Sequence, residues 1–123
     1  MIKTILVVED YDDARYLIKV MLQMLGHRVV EATDGREAVE FAQRDHPDLI
    51  LMDLSLPLMD GVTATRLIRE MEDVSVSDVP VVCVTAHSEK YRDEALKAGA
   101  NLVVRKPVDM DDLKPILSQY LFM

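Results

Sequence analysis

The chain has 123 residues, half of them apolar and 29% charged, and its 22 acids against 14 bases leave a formal charge of −8. That length predicts one domain with a real core, and the composition excludes a disordered chain. The acidic balance argues against nucleic acid or an anionic membrane as the main partner, and suits a metal site or a basic protein surface.

The N-terminal stretch MIKTILVVED has a short apolar run that meets acids at once. It lacks the longer apolar segment and cleavage site of a signal peptide. A first strand is expected over Thr4–Val8, followed by Glu9, Asp10, Asp12 and Asp13. Carboxylates crowded at the end of a buried strand repel one another, by about 4 kcal/mol for a pair 4 Å apart at an effective dielectric of about 20. Something in the fold must offset that cost.

A helix follows in which Ala14, Leu17, Ile18, Met21, Leu22 and Leu25 recur at helical spacing, with Gly26 as its C-cap. Asp12 and Asp13 read as acids that cap this helix or complement its dipole. The second strand is expected over Arg28–Ala32, and the second helix over Arg36–Arg44, burying Ala38, Val39 and Ala42 and stopping before Pro47. Then come a strand over Leu49–Asp53, a helix over Val62–Met71 with Ala64, Leu67, Ile68 and Met71 inward, and a polar connection, EDVSVSDVP, over 72–80.

The fourth strand is expected over Val81–Thr85 and its helix over Glu89–Ala98, with Ser88 as N-cap and Gly99 as terminator. A fifth strand, Leu102–Val104, precedes a helix over Met110–Leu121 with Asp109 as cap. Pro115 would leave the Asp111 carbonyl without a partner, so that helix should begin late or have an irregular first turn. Cys83, the only cysteine, lies in an apolar run and reads as a buried reduced thiol, which fits a reducing compartment. No run is long enough to span a bilayer. A cytoplasmic protein is expected. His27, His46 and His87 show no ligand spacing and read as surface or loop residues.

Strands alternating with helices imply a parallel sheet with right-handed crossovers. Runs such as ILVV, LILM and VVCV suit a sheet covered on both faces. The expected architecture is a flavodoxin-like (βα)5 fold, strand order 2-1-3-4-5. Ligands in such sheets sit beyond the carboxyl ends of the strands, where the order reverses. There Glu9, Asp10 and Asp53 would converge, with Thr85 and Lys106 entering from adjoining strands. Hard oxygen ligands with room for several waters describe Mg²⁺.

The segments VVED, LMDLSLPLMDG, VVCVTAH and VVRKPVD, in that order across nearly the whole chain, resemble the signatures of the receiver domain of bacterial response regulators. The resemblance implies that residues 1–123 form one receiver domain, a signalling switch rather than a metabolic enzyme. It implies that Asp53 accepts a phosphoryl group from a histidine kinase or a histidine phosphotransfer protein. Asp10 would bind Mg²⁺ directly and Glu9 largely through water, with the Ser55 backbone carbonyl as a further ligand. Lys106 would pair with Asp53 and then with a phosphoryl oxygen, Thr85 would hydrogen-bond another, and the Lys106-Pro107 bond would be cis. Output would pass through a downstream protein target, and the Met1 start suggests a stand-alone or N-terminal receiver.

One departure from the resemblance and two positions where the family varies bear on regulation. Many receivers carry an aromatic residue that changes rotamer three positions before the site lysine, and here that position is Val103. Output is therefore expected to rely on displacement of the fourth helix and the loop before it. By the same resemblance Ser55 and His87, at positions where the family varies, would flank the path of attacking water and set the lifetime of the acyl phosphate. Tyr16, Val20 and Met24, at i, i+4 and i+8 on the first helix, present an apolar flank suited to docking the helices of a kinase or phosphotransfer domain.

Three rival readings compete with this one. An Mg²⁺-dependent phosphatase with an aspartyl nucleophile needs a second acid where this chain has Ser55. A flavin-binding module needs a glycine- and hydroxyl-rich phosphate loop where this chain has EDYDD. A pseudo-receiver acting only as an interaction module should have lost part of the pocket, yet all five residues are present.

Overall fold

Ile5–Val8, Leu49–Met52 and Val81–Val84 are apolar at every position, so each strand has side chains to bury on both faces. The structure, a computed structural model, describes residues 2–122, and of Ser88 the backbone only. It answers with one parallel sheet, ordered β2-β1-β3-β4-β5. The strands are β1 (Thr4–Val8), β2 (Arg28–Ala32), β3 (Leu49–Asp53), β4 (Val81–Thr85) and β5 (Leu102–Arg105). The helices are α1 (Asp12–Met24), α2 (Gly35–Asp45), α3 (Gly61–Arg69), α4 (Val74–Ser77), α5 (Ser88–Ala98) and α6 (Met110–Leu121).

The two-residue alternation of the strands divides the core. Leu6, Val8, Ile50, Met52 and Cys83 pack with Ala38 and Ala42 of α2, Ala64 and Ile68 of α3, and Ala95 of α5. Ile5, Val7, Leu49, Leu51 and Val82 pack on the other face with Leu22 of α1 and Leu113, Ile116 and Leu117 of α6. Each fully buried aliphatic side chain contributes about 1.5–3 kcal/mol relative to exposure. Adjacent positions on central strands thus hold opposite helical layers onto one sheet.

Several expectations need correction. The 72–80 connection contains α4, a single turn capped by the Asp73 carboxylate, which accepts from the Ser75 N–H. Helix α5 has His87 in the N-cap position, so Ser88 is its first helical residue and not the cap; the Ser88 side chain lies outside the described residues. Helix α6 starts at Met110 despite Pro115. Asp109 and Asp112 form a reciprocal capping box there, and the Asp111 carbonyl left without a donor belongs to an exposed residue that solvent can reach. Tyr11, not Asp12 or Asp13, holds the N-cap position of α1, with no side-chain bond; both acids sit in the first turn, where they complement the helix dipole as expected. Leu17 is 62% exposed instead of facing the core, because Ile18, Met21, Leu22 and Leu25 already fill that stripe. Leu67 is likewise exposed at the edge of α3, whereas Met71, just past the helix end, still packs against the core. His27 is buried, its Nδ1 accepting from the Lys3 N–H, and burial holds its pKa below the ordinary histidine value.

Candidate functional site

Parallel pairing places the carboxyl ends of β1 and β3 side by side, with Val8 opposite Met52. The next residues on each strand, Glu9 and Asp53, are both 3% exposed. The Glu9 N–H donates to the Ala32 carbonyl at 3.0 Å, carrying the β1–β2 ladder one residue past the strand end. Asp10 follows in a bend and is exposed. One carboxylate oxygen from each of Glu9, Asp10 and Asp53 lies within 4.8 Å of the others.

Lys106 supplies the nearby positive charge. Its Nζ donates to Glu9 Oε1 at 2.8 Å and to Asp53 Oδ2 at 3.0 Å. The remaining oxygens are also engaged: Glu9 Oε2 accepts from the Tyr11 N–H at 3.1 Å and Asp53 Oδ1 from the Ser55 N–H at 3.1 Å. Burial alone would lower the Lys106 pKa, but the bonds to Glu9 and Asp53 outweigh it and hold the ammonium above its ordinary value. Three carboxylates against one ammonium leave a formal charge of −2. A divalent cation would balance that charge, and an oxygen-only donor set with an exposed member suits Mg²⁺.

The loop carrying Asp53 into α3 is held by close backbone contacts. The Gly61 N–H donates to the Leu54 carbonyl, and a Cβ on Gly61 would stand 2.2 Å from the Asp53 carbonyl oxygen. A Cβ on Gly35 would stand 2.0 Å from the Met59 carbonyl oxygen. Between them Leu58 takes a left-handed conformation, φ 65°, and the Met59 N–H closes a tight turn onto the Pro57 carbonyl at 2.7 Å. A bulky side chain in that region costs about 1–2 kcal/mol. The loop is fixed by packing against α2 and by Asp60, which caps α3 through the Thr63 N–H.

Thr85 ends β4 one residue beyond Val84, the register partner of Asp53. It is buried, and its Oγ1 accepts from the His87 N–H at 3.1 Å. The Lys106 N–H donates to the Thr85 carbonyl, and the Lys106-Pro107 bond is cis. Ser55 and His87 are exposed at the rim. Val103 is buried opposite Cys83 in the β4–β5 pair. The structure therefore brings Glu9, Asp10, Asp53 and Lys106 into one cluster, with Thr85 on the adjoining strand end.

Two features were not foreseen from sequence. Lys106 bridges Glu9 as well as Asp53. Arg15 also reaches the acids, donating through Nη1 to the Glu9 carbonyl at 2.9 Å, Nη2 to Asp12 at 2.7 Å and Nε to Glu31 at 3.2 Å. The available signal was a single base among four acids in residues 9–18.

The response regulator receiver domain family matches residues 5–118. Sensor protein EvgS of Escherichia coli K12 is 38% identical over 117 residues, covering 94% of this chain; the chain spans only 9% of that protein. Polar-differentiation response regulator DivK of Brucella ovis is 30% identical over 122 residues, covering 98% of both chains. The receiver domain of sensor histidine kinase PA1611 from Pseudomonas aeruginosa PAO1 superposes with a TM-score of 0.89 at 39% identity, covering 98% of each chain. That structure has a magnesium ion coordinated in its active-site cleft. A family match across most of the chain, the 2-1-3-4-5 sheet and the acidic cluster at its switch point agree: this chain belongs to the response regulator receiver domains of two-component signalling.

Proposed function

We propose that residues 1–123 act as one phosphoacceptor unit in which Asp53 takes a phosphoryl group from the phosphohistidine of a sensor kinase or a histidine phosphotransfer protein. The observation that carries this reading is the Lys106 ammonium bridging the buried carboxylates of Asp53 and Glu9. An Asp53 oxygen forms a bond to phosphorus while the donor's P–N bond breaks; those electrons return to the imidazole, which leaves with a proton from solvent. Glu9, Asp10, Asp53 and the Ser55 carbonyl would hold Mg²⁺, which when bound supplies charge neutralisation for the incoming phosphoryl group.

A carboxylate needs no general base to act as a nucleophile, so positioning of Asp53 matters more than covalent activation. Lys106 keeps Asp53 oriented and then accompanies the charge that arrives on the phosphoryl oxygens. The Thr85 hydroxyl turns from the His87 N–H to one of those oxygens, drawing the 86–90 segment with it. Ser55 and His87 flank the approach of water and set the hydrolysis rate. With Val103 lacking a ring, displacement of α5 and the segment before it carries the output to a downstream protein target.

The donor is proposed to dock on α1. Tyr16 and Met24 are 61% and 74% exposed and Val20 is half-buried. The cytoplasmic setting is also part of the proposal, supported by the buried, unpaired Cys83. Among the described residues no helix is long and apolar enough to cross a membrane. An aspartyl phosphatase is disfavoured because Ser55 stands where a proton-donating acid is needed. A pseudo-receiver is disfavoured because the pocket keeps its acids and its lysine.

The test is treatment with acetyl phosphate and Mg²⁺, read by intact mass. One base-labile phosphoryl adduct on the wild type, absent in Asp53→Ala and without Mg²⁺, is expected. Steady release of phosphate from small esters with no adduct would favour the phosphatase instead.

A further inference from the structure

Glu9 and Asp53 each have both carboxylate oxygens hydrogen-bonded, whereas the Asp10 carboxylate has no hydrogen bond among the described residues. Asp10 is exposed, yet one of its oxygens lies within 4.8 Å of oxygens from the other two acids. Whatever aims it must act through the backbone. The Glu9–Asp10 peptide is gripped at its carbonyl oxygen by Arg15 Nη1, 2.9 Å away. A peptide unit is planar, so fixing that carbonyl also fixes the Asp10 nitrogen and Cα. On the other side of Glu9, its N–H is fixed to the Ala32 carbonyl.

The guanidinium is itself immobilised. Its other nitrogens bond Asp12 at 2.7 Å and Glu31 at 3.2 Å, and the side chain is 14% exposed. Glu31, opposite Val7 in the β1–β2 register, is steadied from its other oxygen by Lys19 at 3.2 Å. A planar fork with several donors can serve three acceptors on three segments at once, and a lysine ammonium cannot reproduce that geometry.

We propose that Arg15 is a positioning residue for the metal site, clamping the Glu9–Asp10 peptide so that the Asp10 carboxylate faces those of Glu9 and Asp53. This rests on the reading of these three acids as a divalent-cation site. Two effects oppose each other. A positive charge near the site repels a cation, so removing it would tighten binding; loss of the clamp frees Asp10 and loosens binding. The clamp dominates, because Asp12 and Glu31 already neutralise the guanidinium at bonding distance.

Calorimetric titration with Mg²⁺ alone, without a phosphodonor, separates the two. Arg15→Lys and Arg15→Ala should both weaken Mg²⁺ binding, by roughly 10-fold, as removal of a group orienting a metal ligand does. Adding Arg15→Ala to Asp10→Asn should weaken binding no further than Asp10→Asn alone, since both act on the same ligand. Should Arg15→Ala not fold, Arg15→Lys and its pairing with Asp10→Asn carry the same test. Arg15→Lys equal to wild type, Arg15→Ala tighter than wild type, or full additivity with Asp10→Asn would each overturn the inference while leaving the site reading intact. Wild-type protein that takes up no Mg²⁺ would overturn the site reading itself, and the inference with it.

Discussion

Lys106 donates to Asp53 across 53 residues of chain, and the same ammonium is shared with Glu9. One cation thus holds together two buried carboxylates from neighbouring strand ends. Removing it as Lys106→Met leaves both acids short of a partner, which should lower stability by about 1–3 kcal/mol near neutral pH. The pairing holds the Lys106 pKa above its ordinary value. Its contribution is therefore complete below the ordinary lysine range and is lost only as pH rises through the elevated folded value. Urea unfolding of both proteins across the alkaline range checks this: the gap should be constant from neutral pH to about pH 9 and close only in strongly alkaline solution.

Gly61 is required by the close approach of α3 to the strand end that bears Asp53. Gly61→Ala would press its methyl group into the Asp53 carbonyl and force the backbone apart. Stability should fall by about 1–3 kcal/mol, as for other overpacked sites, and the rate of acetyl phosphate labelling should fall as well. Denaturant unfolding and intact-mass kinetics read the two effects.

Burial pushes the Cys83 thiol up to about 11, against a hydrogen bond with Thr65 that lowers it. The thiolate is the reactive form, so at mildly alkaline pH its population should be roughly 100-fold below that of an exposed thiol. Native protein should react with a disulfide reagent at least that much more slowly than protein unfolded in urea. Equal rates would place Cys83 outside the core.

Tyr16→Asp and Met24→Asp alter exposed positions on α1. Phosphotransfer from the cognate phosphohistidine donor should slow by roughly 10-fold or more, the scale of losing a central interface contact. Labelling by acetyl phosphate, which needs no docking, should stay at the wild-type rate. Parallel slowing in both assays would locate the defect in folding or chemistry instead of docking.

Strands β1, β3 and β4 were legible almost residue by residue because four-residue apolar runs bounded by polar and turn residues have one reading in a chain of this pattern. Strand β2 carries Arg28 and Glu31 and was marked mainly by its paired valines. Only β5 runs further, to Arg105, since its pairing with Thr85 is a backbone matter that side-chain pattern does not report. The convergence of Glu9, Asp10, Asp53 and Lys106 followed from strand order and from what stood after each strand. What stayed hidden was local or geometric. Helix α4 is too short to show a period, and its cap is the Asp73 carboxylate accepting from the Ser75 N–H. Pro115 in α6 looked disruptive because the compensating Asp109–Asp112 box is a matter of rotamers. The threefold reach of Arg15 and the second bond of Lys106 depend on where long side chains come to rest, which spacing along a sequence does not encode.

The most direct test of the central claim is to locate the phosphoryl group itself. Protein labelled with acetyl phosphate and Mg²⁺, reduced with borohydride and digested, converts the acylated aspartate to homoserine, which peptide mass spectrometry can place. Homoserine at position 53, and its absence when Mg²⁺ is withheld, is the predicted result; homoserine at another acid, or none under any condition, would contradict the account.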